Sequence, residues 1–117
     1  MYMEFIWGDL EAPGGSKIAD HHLDLVIASN ILFQVPDKTA IFREAQRILK
    51  PTGRLAIIDW HDSFSGMGPC REDVVTRDAA CVLARENGFE LTREFSAGAH
   101  HYGLLLHHIS GVVVENI

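Results

Sequence analysis

Glu44-Ala45-Gln46-Arg47-Ile48-Leu49-Lys50-Pro51-Thr52-Gly53-Arg54-Leu55 joins the end of an amphipathic segment to the start of a buried one, and its reading decides the fold. Upstream, Ile41, Phe42, Ala45, Ile48 and Leu49 fall on one helical stripe, with Arg43, Glu44, Gln46 and Arg47 on the opposite side. Asp37 stands where an N-cap is needed, so the spacing predicts a helix over residues 38–49. Lys50-Pro51-Thr52-Gly53 ends it, because proline cannot continue the hydrogen-bond ladder and glycine suits the turn that follows. Downstream, Arg54-Leu55-Ala56-Ile57-Ile58-Asp59-Trp60 reads as a strand of the buried type.

The same alternation extends both ways. Leu23-Asp24-Leu25-Val26-Ile27-Ala28-Ser29 is a short, nearly continuous apolar run, as expected of a strand covered on both faces. After a loop over residues 61–73 containing Gly66, Gly68 and Pro69, Thr76 caps a second predicted helix that Asn87-Gly88 closes. Strand, helix, strand, helix, strand is the pattern of a parallel α/β sheet. Phe89, Leu91 and Phe95 then alternate onto one face, and residues 102–109 form another apolar run. The intervening connection is too short for a parallel crossover, so these two runs are expected to pair antiparallel. The predicted sheet is mixed, mainly parallel with one reversed strand. Residues 111–117 carry no pattern.

Composition fits this frame. At 117 residues the chain holds one domain able to bury a core, and 47% hydrophobic with 22% charged residues is ordinary for a globular protein. A formal net charge of −6 argues against a nucleic acid or an anionic membrane as main partner. No apolar run approaches the ~20 residues that span a bilayer. The opening residues lack a basic stretch ahead of an apolar one, which argues against a secretory signal. Cys70 and Cys81 form no CxxC pattern and read as free thiols, so a cytoplasmic location is expected.

Four stretches resemble the class I S-adenosylmethionine-dependent methyltransferases. Gly8-Asp9-Leu10-Glu11, after Phe5-Ile6-Trp7, is similar to that family's acidic loop after its third strand. The run from Leu23 through Ser29 to Asn30-Ile31-Leu32-Phe33 resembles the fourth strand and its loop. The opening segment resembles the family's RxLKPGGxL stretch, with Thr52 where glycine is usual, and Gly88-Phe89 with Tyr102-Gly103-Leu104 resembles the closing hairpin. Ile58-Asp59-Trp60 and Gly68-Pro69 look most like the ubiquinone/menaquinone, or type 11, branch. The likeness implies a Rossmann-like sheet whose reversed final strand lies between the fifth and sixth. It implies a single partial domain over residues 1–117, the C-terminal half of the family's fold, since the GxGxG turn and the ribose-binding acid precede the third strand there. Gly14-Gly15, the one glycine pair upstream of Leu23, follows the acidic loop instead.

Function and site follow from that resemblance. The expected reaction is methyl transfer from S-adenosylmethionine to a small-molecule acceptor. Asp9 would accept a hydrogen bond from the adenine amino group and the Leu10 backbone N–H would face a ring nitrogen. Ser29, Asn30 and Ile31 would line the cofactor pocket. Asp59 and His61, ending the fifth strand, are the candidate bases for a proton leaving the nucleophile, although alignment alone accelerates many methyl transfers. His101 and Tyr102 would lie near the substrate mouth. The doublets His21-His22, His100-His101 and His107-His108 suggest a metal, but neighbouring side chains in a strand point to opposite faces, so no metal is expected. With the first two strands unaccounted for, Leu23 to Ser29 would present an open apolar edge. The isolated chain is therefore expected to bind the cofactor weakly or not at all, and to pair with itself or with a complementary N-terminal half. The alternative is a non-catalytic α/β interaction module using that same edge. A nucleotide-dependent oxidoreductase fits less well, because it too needs a glycine-rich loop and lacks the reversed strand.

Overall fold

The computed structural model describes residues 18–32, 34, 36–63 and 68–109. The stretch with Asp9 and Leu10, and Phe33, therefore lie outside the described residues. The elements run β1 (Leu23–Ser29), α1 (Lys38–Ile48), β2 (Leu49–Trp60), α2 (Arg77–Glu86), β3 (Phe89–Ser96) and β4 (His101–His108). Their sheet has the order β1-β2-β4-β3. β1 and β2 are parallel, and β4 is antiparallel to both β2 and β3, so β4 is the one reversed strand. This is the mixed sheet that the sequence predicts.

Both helices begin where their caps stand. The Asp37 side chain accepts from the Ala40 N–H and Thr76 Oγ1 accepts from the Ala79 N–H, each satisfying a donor that the first helical turn leaves free. At the far end of α2, Gly88 takes φ +84, a left-handed conformation that closes the helix. The end of α1 differs from the expected turn. Leu49 is already extended at φ −80, ψ 141, and pairs with Leu23, so the strand starts four residues before the predicted Lys50-to-Gly53 stop is complete. Between the pairs Leu23/Leu49 and Leu25/Arg54, residues 50–53 bulge out of register. Gly53 is needed there, because a Cβ would sit 2.9 Å from Leu49 Cδ2 and 3.0 Å from the Lys50 carbonyl oxygen. Thr52 is exposed and has no positive φ, so a side chain where the family has glycine brings no strain.

The helices cover one face of the sheet. Leu55, Ile57, Leu104, Leu106 and Phe89 form a single buried cluster there with Ile41, Phe42, Ala45 and Ile48 of α1 and Ala80 and Ala84 of α2. Phe42 and Phe89, both fully buried, meet with ring centroids 6.4 Å apart; burying one such side chain contributes roughly 2–3 kcal/mol. The opposite face is less covered among the described residues: Ile27 is 53% exposed. One sequence expectation fails at β3. The register shifts between Leu91 and Arg93, so Phe89 and Leu91 face the helices while Phe95 lies opposite Gly103 on the other face. A Cβ on Gly103 would fall 2.3 Å from that ring, so the bulge and the glycine make room for Phe95 together.

Candidate functional site

In a sheet of this kind, ligands bind outside the carboxyl ends of the parallel strands. Here those ends are Ser29 of β1 and Trp60 of β2, brought together by the pairing of Ser29 with Ile58. The chain leaves β1 through Asn30, at φ +56, with its N–H donating to the Ile58 carbonyl at 2.7 Å. Asparagine tolerates this left-handed conformation better than most side chains do. Gln34 Nε2 donates to the Asn30 carbonyl at 2.7 Å and closes the turn. Ser29 and Asn30 are exposed, Ile31 is half-buried and Leu32 is fully buried. The three cofactor candidates that the structure describes therefore lie on one short turn.

Asp59 and His61, the two proposed acid–base residues, sit differently. Asp59 has 0% exposure. Its Oδ2 accepts the Leu32 N–H at 2.9 Å, and its Oδ1 accepts the N–H of its neighbour Trp60 at 2.9 Å. Burial pushes this carboxyl above the usual carboxylate range; the backbone N–H groups and the His101 ring oppose that but do not cancel it. His61 is more open. Its Nε2 faces the Ala99 carbonyl oxygen at 3.0 Å, and its Nδ1 lies 3.5 Å from Asp62 Oδ2. Both ring nitrogens thus face oxygen acceptors, and taking a proton from a substrate would require the ring to turn.

His61 also lines a shallow cleft of about 240 Å³ with Asp62, Ser63, Arg71, Val74 and Thr76. Asp62 Oδ1 lies 3.2 Å from His100 Nδ1, which ties the cleft to the β3–β4 turn. Tyr102, buried beside Asp59 in the β2–β4 register, donates its hydroxyl to the Val75 carbonyl at 2.7 Å and anchors the approach to α2. Burial, then the Asp59 carboxyl, raises its phenol well above the ordinary range. His101 packs against Trp60 at a ring distance of 4.1 Å. The sequence places His101 and Tyr102 near this mouth but gives no role to Leu32 or Arg71, and it marks Thr76 only as a helix cap. The N–H of a buried leucine leaves no mark in a sequence, and Arg71 sits in the connection before α2, which has no pattern of its own.

The histidine doublets diverge. His107 Nδ1 lies 2.6 Å from Thr92 Oγ1, whereas His108 stacks on Phe89 at 5.1 Å. Among the described residues, no three His, Cys, Asp or Glu side chains form a metal-binding group. Also among them, no helix is long and apolar enough to cross a membrane.

A family model described as a methyltransferase domain matches residues 2–57. The chain is 30% identical over 95 residues to the arsenite methyltransferase of Homo sapiens, an alignment covering 73% of this chain and 25% of that protein. It superimposes with a TM-score of 0.69 and 28% identity on a type 11 methyltransferase from Sulfolobus solfataricus, covering 79% of this chain and 53% of that one. A SAM-dependent methyltransferase from Aquifex aeolicus shares the fold at a TM-score of 0.76 and 20% identity, over 91% of this chain and 55% of that one. The chain spans 21–25% of the length of the curated relatives it matches. With its β1-β2-β4-β3 sheet and helix-covered core, this chain has the fold of the class I methyltransferases, and it carries their domain pattern over residues 2–57.

Proposed function

We propose that this chain forms part of a methyltransferase that moves the methyl group of S-adenosylmethionine to a small-molecule acceptor. The observation that carries this reading is the meeting of the residue 29–31 turn with the end of β2, at the carboxyl edge of a methyltransferase sheet. The residues present fit the cofactor. Exposed Ser29 and Asn30 offer polar groups, and half-buried Ile31 offers an apolar surface beside them, suited to an adenosyl group with a polar ribose and a flat ring. Asp9 and Leu10, outside the described residues, remain the proposed adenine contacts.

When bound, the sulfonium supplies an electrophilic methyl carbon and leaves as a neutral thioether. An acceptor lone pair would take up that methyl while the carbon–sulfur electron pair stayed with sulfur. This chain's contribution is placement: the cleft between His61 and Thr76 would hold the acceptor in line, and such alignment supplies a large part of the acceleration. His61, once its ring turns, is the proposed acceptor for a proton leaving the nucleophile. The partial domain over residues 1–117 is proposed to work with strands from a second copy or from a complementary N-terminal half. Those strands would complete the pocket and cover the β1 edge, which pairs only with β2 among the described residues.

Photolabelling tests this reading even when binding is weak. Tritiated S-adenosylmethionine is cross-linked to the chain under ultraviolet light and the labelled peptides are mapped. Label on the peptides containing residues 29–34 or 59–63, competed away by S-adenosylhomocysteine, supports it. Competed label that falls instead on α2 or β3 rules it out.

A further inference from the structure

Asp59 is a buried carboxylate that interacts with backbone and with no cationic side chain at ion-pair distance among the described residues. Such a group is costly to desolvate, and an apolar residue of similar size would fill the space more cheaply. Its two oxygens nevertheless serve donors from two segments. Oδ1 takes the N–H of Trp60 at the end of β2, and Oδ2 takes the N–H of Leu32 in the turn after β1. Asparagine offers one acceptor oxygen and would turn its amide hydrogens toward one of these N–H groups. The same turn is held at its other end by the Asn30 N–H on the Ile58 carbonyl. Two consecutive β2 residues, Ile58 through its backbone and Asp59 through its side chain, therefore grip residues 30–32 from both sides.

We propose that Asp59 is a positioning residue for the cofactor-facing turn, its carboxylate fixing the backbone of residues 30–32 so that Asn30 and Ile31 are presented to the adenosyl group in one conformation. The identity of the ligand rests on the function proposed above; the grip itself does not. The turn has every feature of a segment that needs such a grip: a left-handed non-glycine residue, exposed polar side chains, and one fully buried anchor, Leu32. Holding a binding loop by groups that never touch the ligand lowers the ordering cost of binding.

The test compares the wild-type chain with Asp59→Asn, Asp59→Glu and Ile48→Val, the last a core change that lowers overall stability without touching the turn. Amide exchange is followed residue by residue by NMR, and S-adenosylhomocysteine is titrated into each. In Asp59→Asn, exchange at Ile31 and Leu32 is expected to rise at least tenfold beyond any change at β2 and β4 amides, and apparent ligand affinity to fall at least tenfold. Asp59→Glu should not restore either, since the longer side chain cannot keep both hydrogen bonds. Ile48→Val should raise exchange evenly and leave affinity within about twofold. Exchange at Ile31 and Leu32 that is unchanged, or that rises only in step with the rest of the sheet, overturns the proposal. Should the wild type respond to the ligand only away from residues 30–32, the methyltransferase reading fails, and the exchange data still decide whether Asp59 holds the turn.

Discussion

The two ends of the sheet each bury a carboxylate, and they treat it in opposite ways. Near the amino end of β1, Glu44 is 4% exposed and takes Arg47 Nε at 2.8 Å and Nη2 at 2.9 Å, a two-point guanidinium grip; Arg47 Nη1 also reaches Asp20 at 2.6 Å. The neighbouring acids hold the arginine firmly protonated. At the carboxyl end, Asp59 is buried further still, and its hydrogen bonds among the described residues come from backbone N–H groups. A carboxylate matched by a cation ties elements together: the Arg47 network joins α1 to the approach to β1. A carboxylate matched by peptide N–H groups instead dictates the shape of the backbone that supplies them. The first end stabilises the fold and the second shapes a turn, which is why we place the ligand at the second.

Several substitutions would break or sharpen this contrast. The largest effect is expected from Arg47→Ala, which removes the two-point guanidinium grip from the buried Glu44 carboxylate. Breaking a buried pair costs about 3–5 kcal/mol, and the partial exposure of Arg47 holds the loss near the lower figure. Chemical denaturation should show it, with no change in ligand-induced NMR shifts at residues 30–32. Asp59→Asn should cost less, about 1–3 kcal/mol for an unmet buried donor, yet it should be the variant that loses ligand response. Were Arg47→Ala to weaken ligand binding as strongly as Asp59→Asn, the division between the two ends would be false. Tyr102→Phe removes the hydroxyl from the Val75 carbonyl, and a loss of about 1 kcal/mol is expected in thermal unfolding.

The smallest expected effect is on pH dependence. The Asp59 carboxyl titrates above its usual range in the folded state, so the folded chain holds that proton more tightly than the unfolded chain. Its contribution to stability is therefore greatest below the ordinary carboxylate range and is lost as pH rises through the raised one. Tyr102 and His101 flank it, but the phenol titrates far above this window. Comparing stability against pH for the wild type and Asp59→Asn isolates the effect. The wild type should show the extra acid-side gain and the variant should not.

Much of the fold was legible in the sequence because its signals are local. Asp37 and Thr76 announce their helices, the limits of β1 coincide with its apolar run, and the short turn before His101 forces an antiparallel pair. The departures arise from register, which sequence periodicity does not encode. The bulge at residues 50–53 draws Leu49 into β2, and the shift after Leu91 sends Phe95 to the far face. The site was legible in part. Ser29, Asn30 and Ile31 gather where a strand-end argument puts them, and His61 lines the cleft. The orientation of Asp59 was not legible: its position at the strand end suggested a group open to substrate. Whether a side chain at that point turns outward or in beneath the turn depends on strand pairing with Tyr102 and on the reach of the Leu32 N–H, both set by tertiary structure.

The central claim is that an adenosyl ligand sits at the Asp59 end of the sheet. Titrating S-adenosylhomocysteine to millimolar concentration into the isotopically labelled chain tests it most directly, because chemical shifts register weak binding residue by residue. The account predicts saturable shifts at Asn30, Ile31, Leu32, Trp60 and His61, with Asp20, Glu44 and Arg47 unmoved. Shifts centred on the Glu44–Arg47 end, or scattered over β3 and α2, would contradict it.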